Sequence, residues 1–228
     1  MAITNCIVCL EGCHGAGKTT QIELINADLS NKNSIFALPE NFAKIGTLDH
    51  NDFITECGWV VMWFKRVATI LSYHKLPATQ PAQMPATQPA QVPATQPAQV
   101  STITIVVDRS PYSALIYCND EQRPLLAAVI ERSFAELRRN FDFSLHMIKI
   151  NVEVNDLLQR IAQRLESQPE RKKMPEIDTT HTLRIIEIYA KYFTLYHSID
   201  CEIDNIANQA GATNQKIMRA IARIKMQQ

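Results

Sequence analysis

The sequence predicts an α/β fold: a five-stranded parallel sheet with helices on both faces. Three observations carry this expectation. Segments of strand character alternate with segments of helical periodicity along nearly all of the 228 residues. The strand segments are almost continuously apolar, as strands covered on both faces are. A glycine-rich stretch follows the first strand and opens the first helix, where an α/β sheet forms its ligand crevice.

The first strand is ITNCIVCLEG, in which Ile3, Cys6, Ile7, Val8, Cys9 and Leu10 form a nearly unbroken apolar run. KTTQIELINADLS then places Ile22, Ile25 and Leu29 at helical spacing. Ser34 to Glu40 reads as the second strand, ended by Pro39. From about Asp52 to His74 the pattern is helical again. Thr102 to Asp108 is a β-branched run and the third strand. SPYSALIYC opens a helix, and Leu125 to Arg139 forms another, with Leu126, Val129, Ile130, Phe134 and Leu137 on one face. Leu145 to Val152 is the fourth strand, followed by the basic helix NDLLQRIAQRLE. HTLRIIEIYAKYFTLYHSI is a long helix, CEIDN a short fifth strand, and Asn214 to Lys225 a closing helix.

The segment from Pro77 to Val100 breaks the pattern. It repeats an eight-residue unit three times, PATQPAQM and twice PATQPAQV, with proline at every fourth position and no charge, aromatic ring or glycine. Such a sequence nucleates neither helix nor strand and is expected to be an extended or disordered surface loop, with a partner-binding tether as the other reading. The rest of residues 1–228 reads as one domain.

Lys plus Arg balance Asp plus Glu at 23 each, so no general nucleic-acid or membrane-binding surface is expected. No apolar run approaches the ~20 residues of a membrane helix. The opening MAITNC lacks a basic n-region, and the six scattered cysteines read as free thiols in a reducing, cytoplasmic interior. Cys6 and Cys9 form C-x-x-C, but residues three apart on a strand face opposite ways, which argues against a shared metal.

Half of the six glycines fall in LEGCHGAGKTTQ, where Gly12, Gly17, Lys18 and Thr19 satisfy G-x-x-x-x-G-K-[ST]. Here glycines let the backbone curl so that successive N–H groups point at a phosphate, and the next helix offers its N-terminal N–H groups to the same anion. The candidate phosphate cradle is Gly12, Cys13, His14, Gly15, Ala16, Gly17, Lys18, Thr19 and Thr20. Lys18 reaches the outer phosphates, and the Thr19 hydroxyl ligates Mg²⁺. In VVDRSPYS, Asp108 ends an apolar strand and is the second candidate for Mg²⁺, while Arg109 stands ready to clamp a phosphoryl group. In ALPEN, Glu40 lies just past the second strand, on the same edge of the sheet, where it could take a proton from an acceptor hydroxyl. Arg160 and Arg164 share a helix face, and with Arg171 they mark residues 160–175 as a candidate mobile lid. Cys13, inside the loop at a helix N-terminus, is a candidate for a lowered thiol pKa.

These motifs resemble the deoxynucleoside kinase and thymidylate kinase superfamily of P-loop kinases. LEGCHGAGKTTQIELINADL is similar to the opening of a thymidylate kinase; LPE and the R-S-x-Y-S of DRSPYS are similar to deoxynucleoside kinases. The resemblance implies a P-loop kinase fold, ATP and Mg²⁺, and a nucleoside or nucleotide acceptor. It makes Glu40 the base toward a 5′-hydroxyl, Arg109 the contact to acceptor and phosphates, and Trp59, Phe64, Arg66 and Tyr112 the substrate-binding side chains. It also implies a homodimer through long helices. The expected activity is transfer of the γ-phosphoryl of ATP to a deoxynucleoside, thymidine first. Thymidylate kinase is the alternative, and a regulatory P-loop ATPase or nucleotide-binding scaffold the second. Three departures bear on the acceptor. His14 stands where many thymidylate kinases have an acid, no arginine adjoins Glu40, and Phe64 fills the approximate slot of the base-reading glutamine. No N-K-x-D guanine-reading motif occurs.

Overall fold

A computed structural model of the chain describes residues 4–28, 35–40, 53–75, 102–168, 178–206 and 209–227. The repeat segment 77–100 and Arg171, with the rest of 169–175, lie outside the described residues. The strands are β1 (Asn5–Glu11), β2 (Ile35–Leu38), β3 (Thr104–Asp108), β4 (Phe143–Asn151) and β5 (Cys201–Asp204). The helices are α1 (Lys18–Asp28), α2 (Phe53–Lys75), α3 (Ala114–Tyr117), α4 (Arg123–Asn140), α5 (Val154–Ser167), α6 (Thr179–Tyr196) and α7 (Ala210–Met226).

The five strands form one sheet in the order β2-β3-β1-β4-β5. Every pairing is parallel, and Leu10 of β1 lies opposite Asp108 of β3 and Ile148 of β4. The period of two along each strand divides the core. Ile7, Cys9, Ile105, Val107 and Met147 pack against α2, α4 and α6. Cys6, Val8, Leu10, Val106, Ile148 and Ile150 pack against α1 and α7. Cys6 and Cys9 thus lie on opposite faces of the sheet, as their spacing required, and all six cysteines are free thiols.

The DRSPYSALIY stretch departs from the expected single helix. Pro111 starts a 3-10 turn (Pro111–Ser113) that passes into the four-residue α3, which ends where Cys118 turns extended. Helix α4 then starts afresh, with Pro124 in its first turn. The buried Arg123 ties the two together by donating to the Leu115 carbonyl at 2.8 Å. Helix α5 begins at Val154, where the Glu153 carboxylate caps Asn155 N–H at 2.9 Å. Among the described residues no helix is long and apolar enough to cross a membrane.

Candidate functional site

β1 is the central strand, and its C-terminal end delivers the glycine loop to the edge of the sheet where β2 and β3 also end. Gly12, Gly15 and Gly17 all have positive φ, at 144°, 80° and 87°. Two of them also lack room for a side chain. A Cβ on Gly12 would meet the Ile150 carbonyl oxygen at 2.6 Å, and one on Gly17 would meet Asn205 Nδ2 at 2.6 Å. Asn205, just past β5, donates to Ala16 O at 2.7 Å and accepts from Thr213 at 3.1 Å, so the loop is clamped from outside.

Lys18 folds back under the loop. Its Nζ donates to Gly12 O at 2.8 Å and Cys13 O at 2.9 Å, and the residue is 5% exposed. Burial, then the Arg109 charge, lowers its pKa to about 8. Thr19, on the first turn of α1, donates its hydroxyl to Asp108 Oδ2 at 2.7 Å. Asp108 Oδ1 is buried with no hydrogen-bond partner. The two residues read from the sequence as Mg²⁺ ligands are therefore in contact, and the carboxylate keeps an unused buried oxygen. A glycine loop between the central strand of a parallel α/β sheet and a helix N-terminus, with a carboxylate on the neighbouring strand, forms the candidate phosphate site.

Arg109 is the centre of the groups gathered on that strand edge. Arg109 is 2% exposed and has a positive φ of 69°, a strained backbone for a residue with a side chain. Two bonds hold that backbone: Arg109 N–H donates to Leu10 O at 3.0 Å, and Trp63 Nε1 donates to Arg109 O at 2.9 Å. Its Nε lies 3.0 Å from Glu40 Oε1, an ion pair in which the N–H is not aimed along the contact. Nη1 donates to the Tyr189 hydroxyl at 2.8 Å and more weakly to Gly12 O at 3.4 Å. Nη2 is 3.4 Å from His14 Nδ1, and the guanidinium lies 5.4 Å from the centre of the Tyr117 ring. Burial opposes the Arg109 charge, but Tyr117, Tyr189, Glu40 and Asp108 outweigh it and keep the group protonated.

Glu40, just past β2, is thus brought to Arg109, just past β3. The other assigned residues divide. Trp59 and Phe64 are buried in the apolar core, Phe64 edge-on to Phe134 at 4.8 Å. Tyr112 stacks on Phe134 at 5.5 Å and donates its hydroxyl to Glu131 at 2.8 Å. Arg66 stays at the strand edge, where Nη1 donates to Pro39 O at 2.7 Å, next to Glu40. Arg160 donates to Asn205 O at 3.0 Å and so braces the clamp behind the loop. Arg164 is half-buried on the same helix. Leu157 and Ile161, also of α5, lie 3.2 Å from the Cβ position of Gly15, so this helix covers the loop. The Cys13 thiol corrects an expectation: burial pushes its pKa up, outweighing the Lys18 and Arg109 charges that lower it.

Five groups were not singled out from the sequence: Glu11, Glu56, Trp63, Tyr117 and Tyr189. Glu11 is fully buried and accepts from Ser110 N at 2.6 Å, Ser113 Oγ at 2.8 Å and Tyr189 OH at 3.1 Å. An acid closing an apolar strand marked Asp108, and the same signal marks Glu11. Glu56, in the first turn of α2, is 2% exposed. Burial raises its pKa to about 8, with Arg109 opposing and Glu40 reinforcing the shift. Tyr117 has a buried hydroxyl with no hydrogen-bond partner. Trp63 and the tyrosines sit at ordinary helical positions, and only the tertiary structure points them at Arg109.

No protein-family model matches the chain, and no curated protein does. Among solved structures, it is similar to the crystal structure of APE1195, with 13% identity, 98% of each chain covered and a TM-score of 0.48. It is also similar to a deoxyadenosine kinase from M. mycoides, solved with dCMP and a flexible dCDP bound. There the identity is 15%, the coverage 96% of this chain and 99% of the other, and the TM-score 0.46.

Proposed function

We propose that the chain transfers the γ-phosphoryl group of ATP to the 5′-hydroxyl of a deoxynucleoside, with thymidine the first acceptor to test. The observation that carries this reading is the Glu40–Arg109 contact of 3.0 Å on the strand edge that also holds the phosphate loop. A carboxylate beside a fixed cation suits an acceptor whose proton must leave as its oxygen attacks. The glycine cradle and the unused Asp108 oxygen fit a magnesium-bound triphosphate, with Thr19 and Asp108 as protein ligands. Bound there, Mg²⁺ would neutralise charge on the phosphate oxygens.

The residues of this chain then divide the work. Lys18 exchanges its two loop carbonyls for phosphate oxygens. Glu40 accepts the hydroxyl proton. Arg109 holds the charge of the group in transfer, and its burial strengthens that interaction.

A Glu40→Gln variant tests the assignment. It should keep its affinity for Mg²⁺–ATP and lose roughly 10²- to 10⁴-fold in kcat toward nucleosides. An unchanged rate would remove Glu40 as the base. Thymidylate kinase stays a second reading because Arg66 lies on Pro39 O, beside Glu40, where a monophosphate acceptor would need a cation. Under that reading the preferred acceptor is the monophosphate, and Arg66→Ala raises its KM. Labelled ATP offered with thymidine and with its monophosphate in parallel separates the two.

A further inference from the structure

Tyr189 is 4% exposed on α6, and its hydroxyl lies among three groups: Arg109 Nη1 at 2.8 Å, Glu11 Oε2 at 3.1 Å and Ser113 Oγ at 3.2 Å. A phenol has one proton to give. The guanidinium can only donate, so the hydroxyl accepts from Arg109 and passes its own proton toward Glu11. Ser113 has one proton as well, and it lies 2.8 Å from the same carboxylate. Glu11 is fixed from the backbone side by Ser110 N–H at 2.6 Å. The result is a directed chain from the end of β1, through α6, to the guanidinium. Burial, then Glu11, holds the phenol well above its ordinary pKa, so it remains a neutral donor.

An arginine has four side-chain torsions, and a fixed direction needs an acceptor on its far side. Without the Tyr189 oxygen, Nη1 keeps its other acceptor, Gly12 O at 3.4 Å, which already accepts from Lys18 at 2.8 Å. Arg109 would then be drawn onto the phosphate loop and away from Glu40. We infer that Tyr189, anchored by Glu11, is a positioning residue that aims Arg109 at the group in transfer. This rests on the phosphotransferase reading given above. It assigns Tyr189 no contact with substrate. Its effect belongs in kcat, because misplacing a charge-stabilising group costs rate more than ground-state binding.

The experiment compares Tyr189→Phe with Ser113→Ala in the full chain, measuring kcat, both KM values and melting temperature. Each variant removes one hydroxyl from the same buried network, and only the first removes the acceptor of Arg109. Tyr189→Phe is expected to lose about tenfold in kcat, with both KM values within about twofold. Ser113→Ala is expected to lower the melting temperature comparably and keep kcat near wild type. Equal kcat losses in the two variants would make the network merely structural and overturn the inference. A normal kcat in Tyr189→Phe would overturn it as well. Adding Tyr189→Phe to Arg109→Gln should cost no further rate; independent, multiplying losses would also count against it. Wild-type protein that transfers phosphate to no acceptor defeats the function reading and this inference together. Wild-type transfer with an indifferent Tyr189→Phe defeats only the inference.

Discussion

At the scale of single residues, Lys18 shows how the proposed phosphate site is held ready. Its ammonium satisfies two loop carbonyls, so the loop keeps its curl, and burial lowers its pKa to about 8. The depressed value has a direct consequence for binding. A triphosphate raises the pKa of the lysine it touches, so protons are taken up on binding wherever the free lysine is partly neutral. Uptake sets in near pH 7, grows as pH rises through about 8 and ends only above the raised bound-state value; below pH 7 it closes, because both states are already protonated. Titrating Mg²⁺–ATP by calorimetry at pH 8, in two buffers of different ionisation enthalpy, should give different heats. Near pH 6 the Lys18 contribution to that difference should vanish. Identical heats at pH 8 would show that Lys18 is fully charged before the ligand arrives. These loop residues were legible in the sequence because their task restricts residue type: only glycine accepts φ of 144° at a site where a Cβ would strike a carbonyl. Glu11 and Tyr189 were not, because a carboxylate or phenol can serve many ends. Their partners come from β3 and α6, far along the chain.

At the scale of elements, α2 shows what periodicity conveys and what it omits. The apolar spacing from Asp52 to His74 foretold the helix to within a residue at each end. It did not reveal which face meets the site. Trp59 and Phe64 pack in the core, whereas Trp63 turns its indole N–H to the Arg109 carbonyl. An apolar stripe is the same whether it covers a sheet or edges a pocket, and only the seating of the helix decides. The same helix carries Glu56 into a buried place where its carboxyl titrates near 8. A group whose folded pKa exceeds its unfolded value stabilises most below the unfolded pKa, and that contribution is lost as pH rises through the folded one. For Glu56 the window lies between the ordinary value of 4.5 and about 8. Urea unfolding at pH 5 and pH 8 should therefore show wild type losing more stability across the interval than Glu56→Gln. Parallel losses in the two proteins would mean that Glu56 ionises freely when folded.

At the scale of the whole molecule, the parallel sheet separates chemistry from insertion. Every strand runs the same way, so Glu11, Leu38 and Asp108 close their strands on one edge of the sheet, and the glycine loop, Glu40 and Arg109 gather there. The repeat segment joins the chain between Lys75, the end of α2, and Thr104, the start of β3. Thr104 lies at the edge of the sheet opposite the site, a strand length from Asp108. Both core clusters close from residues on either side of it. Replacing residues 77–100 by a short Gly-Ser linker should leave Mg²⁺–ATP affinity and kcat within about twofold of wild type. It should also raise stability slightly, because a connection shortened roughly fourfold costs about 1 kcal/mol less to close. Calorimetric binding, transfer rates and urea unfolding of the shortened chain measure all three. A tenfold loss of rate with the fold intact would mean that the repeat reaches round to the catalytic edge. A loss of stability would mean that it packs against the domain, despite a composition with no aromatic ring and no charge to hold it there.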